Sequence, residues 1–344
     1  MGNVKDHLPA FEYGHKVYPE SMIHPAMPIE GGNVFFADGD RSSGGGGRSW
    51  GDAFSKIQDA IDAASAGDVI YVAGRTHTDY TGDPVSYEEN LTIPWATSSL
   101  SIIGVSRGRT QGGLPQLKDG ATTTQHILRI RAPGCYIAGL GFNGAGNTGG
   151  GILLDDDYST KAAFGTTIDG CHFKNCKGTT ATNAATGGAI NFSSTGNSWQ
   201  SSFTNNRFYK CVGDIVLPGT SNTVPQDILI QGNIFSGPSS AVDCNLYLQG
   251  AGSGINGVII DSNIFQQLPA LSAATTARYI HATGCVGMMT RNMFGCLSAE
   301  GETEVTFEAA GTAAYIPTTL HMANNYGQFS TGVGAGLVSG EIFS

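Results

Sequence analysis

Charge is scarce in this chain. Only 13 % of its 344 residues are charged, roughly half the ~25 % of an ordinary globular protein. The net charge is −10, with 18 Lys and Arg scattered along the sequence. No basic cluster exists to displace phosphate counterions, so nucleic acid is not expected as a partner. No apolar run reaches the ~18 residues of a membrane-spanning helix, and no membrane partner is expected. The N-terminus, Met1-Gly2-Asn3-Val4-Lys5-Asp6, lacks the apolar core of a signal peptide, and Asp6 stands where myristoylation wants Ser or Thr. Synthesis and assembly in a cytoplasm are therefore expected. No CxxC pair occurs among the seven cysteines, and the spacing of Cys171 and Cys176 is wrong for a zinc ribbon. Cys171, Cys285 and Cys296 lie in or beside apolar segments, where Cys acts as a small buried hydrophobe. The 50 glycines follow no Gly-X-Y period, which excludes collagen.

What the chain has is an echo. Thr167-Ile168-Asp169-Gly170-Cys171-His172-Phe173 returns as Phe203-Thr204-Asn205-Asn206-Arg207-Phe208, and then as Ile230-Gln231-Gly232-Asn233-Ile234-Phe235. Further copies are Ile260-Asp261-Ser262-Asn263-Ile264-Phe265, Met289-Thr290-Arg291-Asn292-Met293-Phe294 and Met322-Ala323-Asn324-Asn325-Tyr326. The aromatics Phe173, Phe208, Phe235, Phe265, Phe294 and Tyr326 are 35, 27, 30, 29 and 32 residues apart. Asn206, Asn233, Asn263, Asn292 and Asn324 stand two places before their aromatics. An irregular period near 30 means that one supersecondary unit is stacked. Short strands such as Leu91–Ile93, Leu100–Ile103, Tyr136–Leu140, Gly151–Leu154 and Ala189–Phe192 fill the intervals. Parallel strands without helical crossovers fit a solenoid, in which each coil returns to the same edge one strand-spacing higher. The reading is an all-β fold, a right-handed parallel β-helix. Asn is expected to point inward at each bend, bonding backbone groups that the turn leaves unpaired. The aromatics are expected to stack as a column.

The organisation divides into four parts. Residues 1–33 carry Pro9, Pro19, Pro25 and Pro28 and read as an extended N-terminal arm, with Phe11, Tyr13, Tyr18, Met22 and Met27 as partner-binding anchors. Residues 34–74 hold an entering strand, a helix and a first coil. Trp50, Phe54, Ile57 and Ile61 sit on one face of a helix expected from Trp50 to about Ala64, opened by Ser49-x-x-Asp52 and ended by Gly67. That helix is placed to cap the first coil. Residues 75–330 are coils, with Val305–Glu308 as a late strand, and 331–344 form a Gly-rich tail.

The stretch Val34-Phe35-Phe36-Ala37-Asp38-Gly39-Asp40, with Ser49 to Ala64 and Gly67-Asp68-Val69-Ile70-Tyr71-Val72-Ala73-Gly74, resembles the opening segment of the pectate-lyase-like β-helix superfamily. With the later coils the resemblance covers about residues 33–330. That group includes polysaccharide lyases, glycoside hydrolases and bacteriophage virion proteins, chiefly tailspikes. The resemblance implies a virion structural protein that decorates or stabilises a capsid through its arm. Its implied partners are a major capsid protein or other virion component and two further copies of itself in a homotrimer. The alternative is a tailspike-like protein that binds or depolymerises bacterial surface glycan.

For that alternative, Asp155 and Asp157 in the Asp155-Asp156-Asp157 run are the candidate catalytic pair, since glycoside hydrolysis needs two carboxyls about 5–10 Å apart. The bland reading of that run is a solvated turn. Of the polygalacturonase motifs only the Asp-Asp element finds a match here, so no catalytic residue is assigned outside the alternative. Asp38-Gly39-Asp40 lacks the spacing of a Ca²⁺ loop, and Gly44 to Gly47 lack the Gly-Lys-Ser/Thr of a phosphate loop. No metal or cofactor is expected. His172, His281 and His321 read as surface or satisfied core histidines.

Overall fold

A computed structural model describes residues 32–75, 85–105, 113–144, 149–158, 161–177, 188–193, 195, 198–217, 225–236, 244–248, 255–267, 278–282, 285–296 and 320–329. The arm anchors Phe11, Tyr13, Tyr18, Met22 and Met27, the strand expected at Val305–Glu308 and the tail at 331–344 lie outside them.

The described strands form three parallel sheets and one two-stranded antiparallel hairpin. Sheet 1 has ten strands, from Val34–Ala37 and Val69–Ala73 to Val286–Thr290 and Leu320–Ala323. Sheet 2 has nine, from Tyr87–Glu88 to Tyr326–Phe329. Sheet 3 has seven, from Leu91–Ile93 to Arg278–His281. The chain visits the sheets in turn, and each strand pairs with its counterpart one coil away, as Thr167–Asp169 does with Tyr136–Ala138 and Ser202–Thr204. This is the stacked solenoid that the repeat demands.

Alternation sets which side chains go inside. Ile70, Ile102, Ile137, Ile168, Phe203, Ile230 and Ile260 of sheet 1 are fully buried. They meet Phe142, Phe173, Phe208 and Phe235 of sheet 2 and Leu128, Ile152, Ile190 and Ile215 of sheet 3 in one continuous core. The phenylalanines stack at centroid separations of 5.0, 5.0, 5.0, 4.6 and 4.9 Å from Phe142 through Phe173, Phe208, Phe235 and Phe265 to Phe294. Such pairs add about 0.5–1.5 kcal/mol each beyond the area they bury. The column starts one coil earlier than the echo indicates, at Phe142. The sequence around it, Gly139-Leu140-Gly141-Phe142, lacks the Asn that marks later copies.

Sheets 1 and 2 are joined by a two-residue bend. Its first residue lies in the left-handed region: Gly139 (φ 63°), Gly170 (60°), Asn205 (55°), Gly232 (67°), Ser262 (55°), Arg291 (56°) and Asn324 (53°). Its second residue points inward. Asn206, Asn233, Asn263 and Asn292 there are fully buried. Each Oδ1 accepts the backbone N–H of the equivalent residue one coil below, from Cys171 N to Asn206 (2.9 Å), Asn206 N to Asn233 (2.9 Å), Asn233 N to Asn263 (2.9 Å), Asn263 N to Asn292 (3.0 Å) and Asn292 N to Asn325 (3.0 Å). Each Nδ2 donates to a sheet 1 carbonyl of the coil below, as Asn233 does to Phe203 (2.9 Å) and Asn263 to Ile230 (3.0 Å).

The last copy is out of phase with the expectation. Asn325, not Asn324, holds the ladder position, and Asn324 takes the left-handed one. Tyr326 pairs in register with Met293, and Gly327 pairs with Phe294. The register thus puts Gly327, not Tyr326, at the column position. With two Asn side by side, counting back from the aromatic selects the wrong one, whereas the left-handed bend assigns each its place.

The expected helix is shorter and differently built. A 3-10 turn covers Trp50–Asp52, and helix α1 spans only Ile57–Ala63. Phe54, expected on the helix face, is extended: its N–H bonds Phe36 O (2.9 Å) and its carbonyl accepts from Asp38 N (2.7 Å). Backbone pairing to the exposed edge of sheet 1 outweighs the helical period. Ser49 makes no side-chain cap, and Gly67 (φ 81°) turns the chain into Val69–Ala73 three residues beyond the C-cap Ala64. Instead the Glu89 carboxylate receives the N–H groups of Ile57 (2.9 Å) and Gln58 (3.0 Å). Ile57, Ala60 and Ile61 are buried on the first coil. Gln58 meets the terminal strand of sheet 3 with its amide, accepting from Thr92 N (2.9 Å) and donating to Thr92 O (3.3 Å). Helix α1 is thereby tied to the edge strand of sheet 3.

Candidate functional site

The candidate carboxylates lie where two strands of sheet 3 end. Leu128–Ile130 and Ile152–Leu154 pair in register, with Leu128, Ile130, Ile152 and Leu154 inward and Arg129 and Leu153 outward. Asp155 follows, its N–H bonded to Ile130 O (2.8 Å). The chain then forms a two-stranded antiparallel hairpin, Asp156–Tyr158 with Lys161–Ala162, where a plain solvated turn is the bland expectation.

Arginines gather both carboxylates. One Asp155 oxygen, Oδ2, accepts from Arg129 Nη2 and from Arg131 Nε (3.0 Å). Arg131 Nη1 donates to Asp157 Oδ1 (2.9 Å). The side chain of Asp155 is 8 % exposed, while Arg129, Arg131 and Asp157 are at 30, 29 and 29 %. Burial alone would raise the Asp155 carboxyl, but Arg129 and Arg131 outweigh it and hold it below the ordinary carboxylate range. Asp156 faces another way, its Oδ1 accepting from Ser193 Oγ (3.2 Å) and Thr195 Oγ1 (2.9 Å).

The structure thus brings Asp155 and Asp157 together through their common partner Arg131. A hydrolytic pair needs one carboxyl whose proton is held up to neutral pH and one that stays ionised, and Asp155, held low, meets only the second requirement. The cluster also offers partly exposed guanidinium and carboxylate groups, a set that can hydrogen-bond hydroxyls. Arg129 and Arg131 escaped notice in the sequence. Their signal is the Arg129-Ile130-Arg131 alternation one coil before the acidic run, visible only once the register is known.

The other titratable groups disperse. Asp169 accepts from Thr204 Oγ1 (2.7 Å) and Asn205 Nδ2 (2.8 Å) on the outside of sheet 1. Asp261 is clasped by Arg291 through Nε (2.8 Å) and Nη2 (2.6 Å) and by Gln231 Nε2 (2.7 Å). Those bonds, Arg291 first, hold its carboxyl low. His172 is half-buried on sheet 2, and burial, with Lys174 and Arg207 nearby, lowers its pKa. His321 is exposed, and His281 lies in a sheet 3 strand. Cys171 and Cys285 are buried, and burial pushes their thiols up to about 12 and about 11. Among the described residues, no group of three or more His, Cys, Asp or Glu converges as a metal cage would.

No family model and no curated protein matches the sequence. Solved structures do. An alginate lyase from Paenibacillus sp. str. FPU-7 superposes with TM-score 0.51 at 16 % identity, over 76 % of each chain. The fold is the pectate-lyase-like right-handed parallel β-helix. A pectin methylesterase from Erwinia chrysanthemi, PemA, aligns over 89 % of this chain and 92 % of that one, at TM-score 0.38 and 12 % identity. Geobacillus virus E2 ORF18 aligns over 80 % of this chain and 57 % of that one, at TM-score 0.39 and 12 % identity. At such identities the likeness concerns architecture alone, because function lives in sites grafted on folds.

Proposed function

We propose that this chain is a structural protein of a bacteriophage particle, a rigid β-helical rod fixed to the capsid or another virion component through residues 1–33. The observation that carries the reading is the state of the candidate acids. Asp155 and Asp157 are tied to Arg131, with Asp155 held ionised. In this reading the pair, through Arg129 and Arg131, ties two coils of the rod together. The buried asparagine ladder and phenylalanine column likewise build stiffness. The test is the copy number of the protein in purified particles, relative to the major coat protein, by quantitative mass spectrometry. A count comparable to the coat supports decoration of the head. A handful per particle moves the protein to the tail, and absence from the particle overturns the virion reading.

A second reading rests on the same cluster. The partly exposed guanidinium groups of Arg129 and Arg131, with Asp157, suit hydrogen bonding to the hydroxyls of a bacterial surface glycan, a matter of binding without cleavage. Retention on immobilised host polysaccharide, lost in Arg131→Ala, supports it. Equal retention of that variant rejects it.

A further inference from the structure

The fold gathers five basic side chains on one patch of sheet 2. The register stacks Arg207 on His172 and Tyr209 on Lys174, with Lys177 and Lys210 just beyond the strand ends. Lys177, Arg207 and Lys210 are exposed. Cations elsewhere are matched: Arg75, Lys118, Arg129, Arg131 and Arg291 each meet a carboxylate. Among the described residues, Lys177, Arg207 and Lys210 meet none. The acids nearest along the chain are turned to other partners. Asp169, across the bend, accepts from Thr204 and Asn205, and Asp214 is buried against Asn245 Nδ2 (2.6 Å). Residues 178–187, which leave the first of these coils, carry no charge. On a molecule at −10 this is a basic island.

The same outward column continues upward without charge. Above Arg207 the register places Ile234, Ile264 and Met293. Ile264 and Met293 are exposed at 40 and 45 %. Aliphatic side chains in a row, continuous with a charged patch, mark an interaction surface. The two halves together fix the chemistry of what covers it. Nucleic acid needs more cations than this patch holds, and neither it nor a sugar chain gains from covering aliphatic side chains. A polypeptide offers both carboxylates for Arg207 and apolar side chains for Ile264 and Met293. Spacing selects its conformation. Levels on the rod are roughly 4.8 Å apart, against about 5.4 Å for the turns of a helix and about 6.7 Å for same-side residues of a strand. His172 and Met293 are four levels apart. That is roughly 19 Å, or about 13 helical residues.

We propose that this column is the docking face for a helix of another protein, laid along the rod, whose contact stripe is acidic over the coils of His172 and Arg207 and aliphatic over those of Ile234, Ile264 and Met293. The contact does not depend on where the rod is mounted. The probe is a fluorescein-labelled helical peptide of about 15 residues, with Glu on the stripe of one half and Leu on the same stripe of the other. Its anisotropy with the full chain should show saturable binding that weakens as salt rises. Arg207→Glu and Ile264→Glu should each weaken binding about ten-fold or more, with an unchanged circular dichroism spectrum because both side chains point outward. Lys56→Glu, the same charge change beside helix α1, should leave binding as it was. A peptide with Lys in place of Glu should not bind. Absence of saturable binding overturns the proposal, and so does equal binding by Arg207→Glu. Tighter binding of heparin or polyuridylate than of the peptide would give the face to a glycan or RNA and overturn it. So would a parent that is multimeric by light scattering and monomeric as Ile264→Glu, since a second copy would then hold the face.

Discussion

Each ladder asparagine serves several buried groups at once. Asn263 Oδ1 takes the backbone N–H and the Nδ2 of Asn233, and its Nδ2 serves Ile230 O and Asn292 Oδ1. Replacing it with Leu, the residue that fills this position at Leu140, keeps the branched shape but orphans Asn233 N–H and takes a donor from Ile230 C=O. At ~1–3 kcal/mol per unsatisfied buried group, Asn263→Leu should cost about 3 kcal/mol, read as a lower urea midpoint. Asp155 gives a pH signature. Its folded pKa is depressed, so its contribution is complete above the unfolded value of ~3.9 and is lost as pH falls through the folded pKa. Melting temperatures should be flat from pH 7 to about 5 and fall below about 4. Asp155→Asn should start lower at pH 7 and fall less steeply. At this scale the sequence is legible where residue type alone decides, as for the inward Asn206, Asn233, Asn263 and Asn292. It misleads at Asn324–Asn325, where type is the same and only backbone handedness separates the two. The partners of Asp155 stay hidden because Arg129 and Arg131 lie 24–26 residues away along the chain, yet one coil away in space.

The strands were readable as elements because inward positions are aliphatic or aromatic and every coil repeats the test. The helix was readable in existence and place but not in extent. Trp50, Phe54, Ile57 and Ile61 satisfy a helical period, yet Phe54 finds a better use pairing with Phe36. The determinants of α1 lie 31–34 residues downstream, in Glu89 and Thr92, beyond any local capping rule. Removing that clasp tests its role. In Gln58→Ala the Thr92 N–H loses its acceptor, and hydrogen exchange at Thr92 should quicken about ten-fold, equivalent to ~1.4 kcal/mol of local opening. Exchange in sheet 1 above the third coil should stay as it was. If Thr92 exchanges at the parent rate, the side-chain amide does not seal the edge.

For the whole molecule, the solenoid was legible because stacking one unit is the arrangement that makes a six-residue pattern recur. Its use was not legible, since the same rod can carry an enzyme, a binder or a structural part. Truncation separates the rod from its mounting. Deleting residues 1–30 should leave circular dichroism and melting temperature within a few degrees of the full chain, because the described coils close their own core from Val34 onward. The truncated protein should no longer attach to particles. Undiminished attachment would place the contact on the coils.

The asparagine ladder also makes the rod mechanically graded. Coils act as links in series, so under tension between the two ends every joint carries the same force. From Cys171 upward each joint has side-chain amide bonds across it in addition to its sheets. The joint between the coils of Leu140 and Cys171 has no amide at the bend, only the weak contact of Cys171 Sγ with Ile137 O at 3.7 Å. In a single-molecule pulling experiment the lower coils should yield first. The coils from Cys171 upward, under the same force, would still be intact when the first extension is recorded.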